Sequence, residues 1–151
     1  MTGYYNLLDK LKTHFDADVI VNTVTQGDIF KVDLSKQTIF PLLHIMVNNC
    51  TLDERTTTWN ISLIAMDVVD LSKSATTDIF LGNDNEIDVL NTQHAVLNRA
   101  YEIIKHGSLA YDLFMVEGTA NLEPFTERFE NYMAGWTMTF DVVTPNEMTI
   151  C

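Results

Sequence analysis

TTTWNISLIAMDV, residues 56–68, alternates with a period of two. Trp59, Ile61, Leu63 and Ala65 point one way, and Asn60, Ser62, Ile64 and Met66 the other. The first face is wholly apolar; the second becomes so only in its latter half. A strand of this kind lies inside a sheet with one side on the core. Its neighbour in sequence, IFPLLHIMV (39–47), is apolar on both faces, the pattern of a strand in the middle of a covered sheet. Pro41 places the near end of that strand at an edge or bulge, because proline has no ladder N–H to give.

Outward from these strands, the N-terminal residues Tyr4, Leu7, Leu8, Leu11 and Phe15 fall at helical spacing and predict a helix of about three to four turns. DADVIVNTVT (16–25) reads as a strand, and a turn follows at Gly27. Beyond the central strand, VDLSKSATTDIFLGNDN (69–85) loses periodicity and reads as a long loop. Ile87, Leu90, His94, Leu97, Tyr101 and Ile104 then advance by three or four, predicting a helix over about 86–105. Val96, Ala100 and Ile103 widen its apolar stripe. Asn83 with Glu86 forms a candidate capping box, and Gly107 a candidate C-cap. SLAYDLFMVEG (108–118), TANLEPF (119–125) and GWTMTFDVVTP (135–145) are strand-like. In the last of these, Trp136, Met138, Phe140 and Val142 share a face. No internal repeat or linker divides residues 1–151. The chain reads as one α+β domain, a mostly antiparallel sheet packed against an N-terminal helix and a long central helix.

Composition restricts function. Nine Lys and Arg against 21 Asp and Glu give a net charge of −12, and the basic residues are scattered singly. A direct reader of nucleic acid is disfavoured, whereas a protein that DNA slides past is not. Cys50 and Cys151 show no metal spacing. Two reduced thiols suit a cytoplasmic protein better than a single bridge suits a small secreted domain. The start MTGYYNLLDKLKTHF lacks the features of a signal peptide, and no run approaches the ~20 apolar residues of a membrane span. The expectation is a soluble protein made in a cytoplasm.

No motif carries catalysis. The histidines, His14, His44, His94 and His106, have no metal-ligand spacing. His44 and His94 interrupt apolar patterns and read as buried, hydrogen-bonded core histidines. Asp67, Asp70, Asp78, Asp84, Glu86 and Asp88 form an acidic run without the fixed positions of a calcium loop, so a solvated surface explains them. Asn60-Ile61-Ser62 matches a glycosylation acceptor formally, inside a strand. Glu123 and Glu127 do not define a catalytic cleft. With Phe125 and Phe129 they fit an amphipathic short helix or turn, and two glutamates four apart are not by themselves a glycosidase pair. There is no nucleophile elbow and no glycine-rich phosphate loop. The reading is non-enzymatic, with no cofactor and no metal.

MAGWTMTFDVVTPNEMTIC (133–151), NEIDVLNTQHAVLNRAYEIIKHG (85–107) and TTTWNISLIAMDVVD (56–70), with the FPLLHI strand and the N-terminal helix, resemble the tail terminator, or tail completion and neck, proteins of tailed bacteriophages. The resemblance spans roughly residues 3–151. It implies a virion protein of the head–tail junction, assembled in the host cytoplasm as a homo-oligomeric ring, commonly a hexamer, with dodecamers among related neck proteins. Such a ring stops the tail tube, joins it to the connector and passes genomic DNA without binding it specifically. No membrane is involved. Within this reading the loop from Ser72 to Asn85, with Ser72, Asp78, Phe80 and Asn83, reaches a neighbouring subunit or the adjoining ring. Phe125, Phe129 and Trp136 anchor the last strand against the helices. The competing readings are a small host-targeted adaptor or inhibitor and a hydrolytic enzyme with an unrecognised site.

Overall fold

A computed structural model of the protein describes residues 3–28, 39–69, 86–107, 114–128 and 132–146. Its elements are α1 (Tyr4–Asp16), β1 (Thr23–Gln26), β2 (Leu42–Leu52), β3 (Thr56–Val68), α2 (Glu86–His106), β4 (Met115–Arg128) and β5 (Tyr132–Pro145). The five strands form one mixed sheet in the order β1-β2-β3-β5-β4. β1 runs parallel to β2, and every other neighbouring pair is antiparallel.

β3 occupies the centre and sorts its side chains as its alternation requires. Trp59, Ile61, Leu63 and Ala65 enter the main core with Leu43 and Ile45 of β2 and Met138, Phe140 and Val142 of β5. Leu7, Leu11 and Phe15 of α1 and Val96, Leu97, Ala100 and Ile104 of α2 close that core from above. The α+β domain is thus a five-stranded mixed sheet packed against both helices. On the sheet's opposite side Leu42, Met66 and Met133 form a second, smaller cluster with Phe40. That cluster matches the latter half of β3, where Ile64 and Met66 replace Asn60 and Ser62.

Four local expectations are corrected. The strand over 16–25 shortens to Thr23–Gln26, because Asp18 accepts a hydrogen bond from the Ile20 backbone N–H at 3.0 Å and turns the chain. Pro41 lies just ahead of β2 rather than at an edge or bulge; its carbonyl accepts from Asn22 and Thr23, and the irregularity in β2 falls instead between Val47 and Asn49. The core face of α2 keeps Leu97 and Ile104 of the expected stripe, with Val96 and Ala100 beside them, but its first half is turned: Val89 and Gln93 are buried in place of Ile87, Leu90 and His94, and His94, expected to be a buried, hydrogen-bonded histidine, is exposed. Two adjacent stripes satisfy three-and-four spacing here, and the buried one contains a polar residue, Gln93. Last, the strand read over TANLEPF (119–125) is present and continues to Arg128 within β4, so Glu123 and Phe125 do not belong to the amphipathic short helix or turn that their spacing with Glu127 and Phe129 also fits. A spacing of four serves one face of a helix and one face of a strand alike, and the ladder to β5 settles it.

Gly118 does not end β4. Glu117 faces Asp141 and Asn121 faces Thr139, so Gly118, Thr119 and Ala120 bulge opposite Phe140 alone. Gly118 supplies a φ of 74° for this bulge, a conformation costly for other residues. Gly135 has a different necessity. A Cβ there would stand 2.0 Å from the Ala65 carbonyl oxygen, so β3 and β5 approach only because that position has no side chain. At the end of α2, Lys105 and His106 occupy the last turn and Glu86 and Asp88 the first, each favoured by the helix dipole. The Gly107 N–H still reaches the Ile103 carbonyl at 3.0 Å. The expected cap at Asn83 lies outside the described residues.

Candidate functional site

Three surfaces hold polar side chains in defined geometry. The first is the polar half of the sheet's second face. Asn48 donates to Asn60 and to Ser62, both at 2.8 Å. Asn60 donates to the Asp141 carboxylate at 2.8 Å, and the Ser62 and Thr139 hydroxyls lie 3.1 Å apart. The register adds Glu117 opposite Asp141 and Glu123 opposite Thr137. Cross-strand neighbours share a face, so three carboxylates and a hydroxyl–amide ladder occupy one side. Arg128, the one Lys or Arg within the strands, is in register with Tyr132 at the far end of the ladder. Among the described residues this half-face therefore carries acidic charge alone.

The second surface is a groove of about 490 Å³ between the end of α1 and α2, lined by His14, Ala17, Val19, Arg99, Glu102 and Ile103. Asp18 ties its two helices together. Arg99 donates to the Asp18 carboxylate through Nε at 3.2 Å and Nη2 at 2.9 and 3.0 Å. The Asp18 side chain is 5% exposed and that of Arg99 44%, so the guanidinium holds the pair while keeping an outer edge in solvent. A two-point fork fixes orientation better than a single ammonium contact would. The His14 Nε2 is buried without a hydrogen-bond partner among the described residues. Burial lowers its pKa, with Asp18 opposing and Arg99 adding to the shift.

The third surface is a smaller hollow of about 310 Å³ where the β4 bulge meets α2, lined by His94, Asn98, Tyr101, Thr119, Leu122 and Met138 among others. The His94 ring meets Trp136 edge-on at 5.3 Å, and the Trp136 indole N–H donates to the Leu90 carbonyl at 2.8 Å. The Lys105 ammonium lies 5.3 Å from the centre of the Tyr101 ring.

His44 comes nearest to a catalytic arrangement. Its Nε2 is 2.8 Å from the Gly27 carbonyl, which can only accept, so Nε2 carries the proton. Nδ1 then accepts from the Thr25 hydroxyl at 2.7 Å. A hydroxyl on a histidine held by a third group is the geometry of an activated nucleophile. Here, however, His44 is 0% exposed, and burial, the leading influence, lowers its pKa. The arrangement pins β1 and its following turn to β2, as the expectation of a buried, hydrogen-bonded histidine requires. Asp67, at the far end of β3, has its pKa raised by burial against a hydrogen bond from the Val68 N–H. Among the described residues no group of three His, Cys, Asp or Glu could hold a metal ion, and no helix is long and apolar enough to cross a membrane. Cys50 is a free, exposed thiol.

The residues singled out by sequence pattern separate in the fold. Trp136 packs against the main core and bonds α2. Phe125 lies on the other side of the sheet, against the Met66–Met133 cluster, so only one of the two reaches the helical layer. Ser72, Asp78, Phe80, Asn83 and Phe129 lie outside the described residues. Sequence pattern gives no sign of the Asp18–Arg99 pair, whose members are 81 residues apart and joined only by the fold. The acid stripe is equally hidden, since its members come from separate strands. Compared with known proteins, the chain matches no protein-family model and no curated sequence.

Proposed function

We propose that the protein is a structural subunit of a tailed-bacteriophage virion, forming a ring at the head–tail junction that caps the tail tube and joins it to the connector. The reading begins from the resemblance of the strand, helix and AGW segments to tail terminators. One observation carries it further: Glu117, Glu123 and Asp141 share the polar half of a sheet face with no Lys or Arg among the described residues there. A ring that turns this face inward presents duplex DNA with acidic charge and neutral hydroxyls, which repel or slide past phosphates. The net charge of −12 favours the same behaviour. Genomic DNA is then a passenger, and the specific partners are further copies, the tube protein and the connector.

Native mass spectrometry over a concentration series tests the ring. A closed six- or twelvefold species supports it, and the stoichiometry distinguishes tube-matched from portal-matched symmetry. A monomer that also fails to assemble on added tube or connector protein overturns it and turns attention to the adaptor reading.

A further inference from the structure

The chain carries 21 acids against nine Lys and Arg, yet among the described residues no Asp or Glu lines the hollow between α2 and the β4 bulge. His94, Asn98 and Tyr101 form one wall at helix positions i, i+4 and i+7, so the hollow is a trough running about 10 Å along α2. Its other wall is the bulge, where Gly118 at a φ of 74° lets Thr119 and Ala120 leave the ladder. Ala120, Leu122 and Met138 make an apolar floor continuous with the main core. At one end the His94 ring stands edge-on against Trp136. At the other, the Lys105 ammonium donates to the Tyr101 phenol oxygen at 3.3 Å and lies over its ring. The phenol O–H is left to donate in turn. Lys12 is held by Asp16 and Arg99 by Asp18, but among the described residues no carboxylate pairs with Lys105.

From this we infer that the trough binds a small aromatic carboxylate. The carboxylate accepts from the Tyr101 O–H and meets the Lys105 ammonium, two donors that one helical turn brings side by side. Charge selects the anion: an acidic surface repels negative ligands except where a cation stands without a carboxylate partner. Shape selects the ring. A flat body lies on Ala120, Leu122 and Met138, between the imidazole of His94 and the phenol, and a thioether makes favourable contacts with aromatic rings. A hollow of about 310 Å³ offsets little ordering, so a rigid ligand with few rotors suits it better than a flexible chain. The side chains of Asn98 and Thr119 have no hydrogen-bond partner among the described residues and serve a polar ring substituent. The inference is independent of the proposed ring, because the trough lies on the helix side of the sheet and the acid stripe on the other.

Backbone amide chemical shifts, followed by NMR as naphthoate is added at constant ionic strength, test it. Saturable changes should centre on Asn98, Tyr101, Thr119 and Ala120, with a Kd of about 1 mM or tighter. Naphthamide keeps the rings and lacks the charge, and should bind about tenfold more weakly. Lys105→Gln should weaken naphthoate binding about fivefold and leave the amide unchanged. Thr119→Trp, at an exposed position of the bulge, should fill the trough and abolish binding of both, with circular dichroism confirming that each variant is folded. Changes that never saturate, equal affinity for acid and amide, or full affinity in either variant would each overturn the inference. So would changes centred on Ala17, Val19 and Ile103, which place the ligand in the α1–α2 groove instead.

Discussion

The helix-facing side of the sheet and its opposite side are made from alternate residues of the same strands, yet they are finished differently. Leu63 and its neighbour Ile64 illustrate this. Leu63 is completely buried between β2, β5 and the helices, while Ile64 is only partly covered beside the Leu42–Met66–Met133 cluster. One row further, Ile61 remains in the core and Asn60 already belongs to the hydrogen-bonded polar ladder. Stability is thus concentrated on one face, which leaves the polar half of the other free to carry a surface property such as charge. A close-packed core punishes each lost methylene, whereas an exposed polar face tolerates exchange.

The sharpest way to break both faces at once is Gly135→Ala. Its Cβ would meet β3 backbone, which cannot move aside as a side chain can. The expected loss is on the order of 4 kcal/mol or outright unfolding, read by denaturant melting. Next, Leu63→Ala should cost about 3–4 kcal/mol and Ile64→Ala about 1–2 kcal/mol in the same assay. Equal costs would mean that the two faces are packed alike. Trp136→Ala should cost about 2–3 kcal/mol, below the ~3–5 kcal/mol of a fully buried ring, because the indole is only partly buried. Trp136→Phe isolates the bond to Leu90 and should cost about 1 kcal/mol.

A pH titration reads the buried ionisable groups. His14 and His44 both have folded-state pKa values below the ordinary 6.5. The neutral forms suit the fold, so their contribution is full above pH 6.5 and is lost as pH falls through the folded values. Asp67 works in the opposite sense. Its folded pKa is above 3.8, so its ionisation weakens the fold, and that penalty is relieved as pH falls through the raised value. Thermal melts should therefore decline below pH 6.5, and His14→Gln should flatten that decline. The smallest effect on stability belongs to the acid stripe. Glu117→Lys, Glu123→Lys and Asp141→Lys together should change stability by roughly 1 kcal/mol or less, yet should create salt-dependent binding to duplex DNA, measurable by fluorescence anisotropy. DNA binding equal to that of the parent protein would remove the stripe from any role in passing DNA.

Local pattern suffices for the elements that bury one face against a long partner. The period of two fixed β3 at Thr56–Val68, and the spacing of Leu7, Leu11 and Phe15 fixed the buried side of α1. The half-apolar second face of β3 is legible in Asn60, Ser62, Ile64 and Met66 without knowledge of any partner strand. Tertiary structure decided what local spacing leaves degenerate. In the first half of α2 it chose Gln93 over His94 for the core, because residues one apart differ by only about 100° around the helix and either lines up with Leu97 by three-and-four spacing. It settled the strand read over 119–125 against the short helix or turn that Glu123, Phe125 and Glu127 also fit, because a spacing of four satisfies both periodicities. And it brought Asp18 to Arg99, and Glu117 to Asp141, because contacts between distant residues depend on register and topology, which no local window of sequence contains.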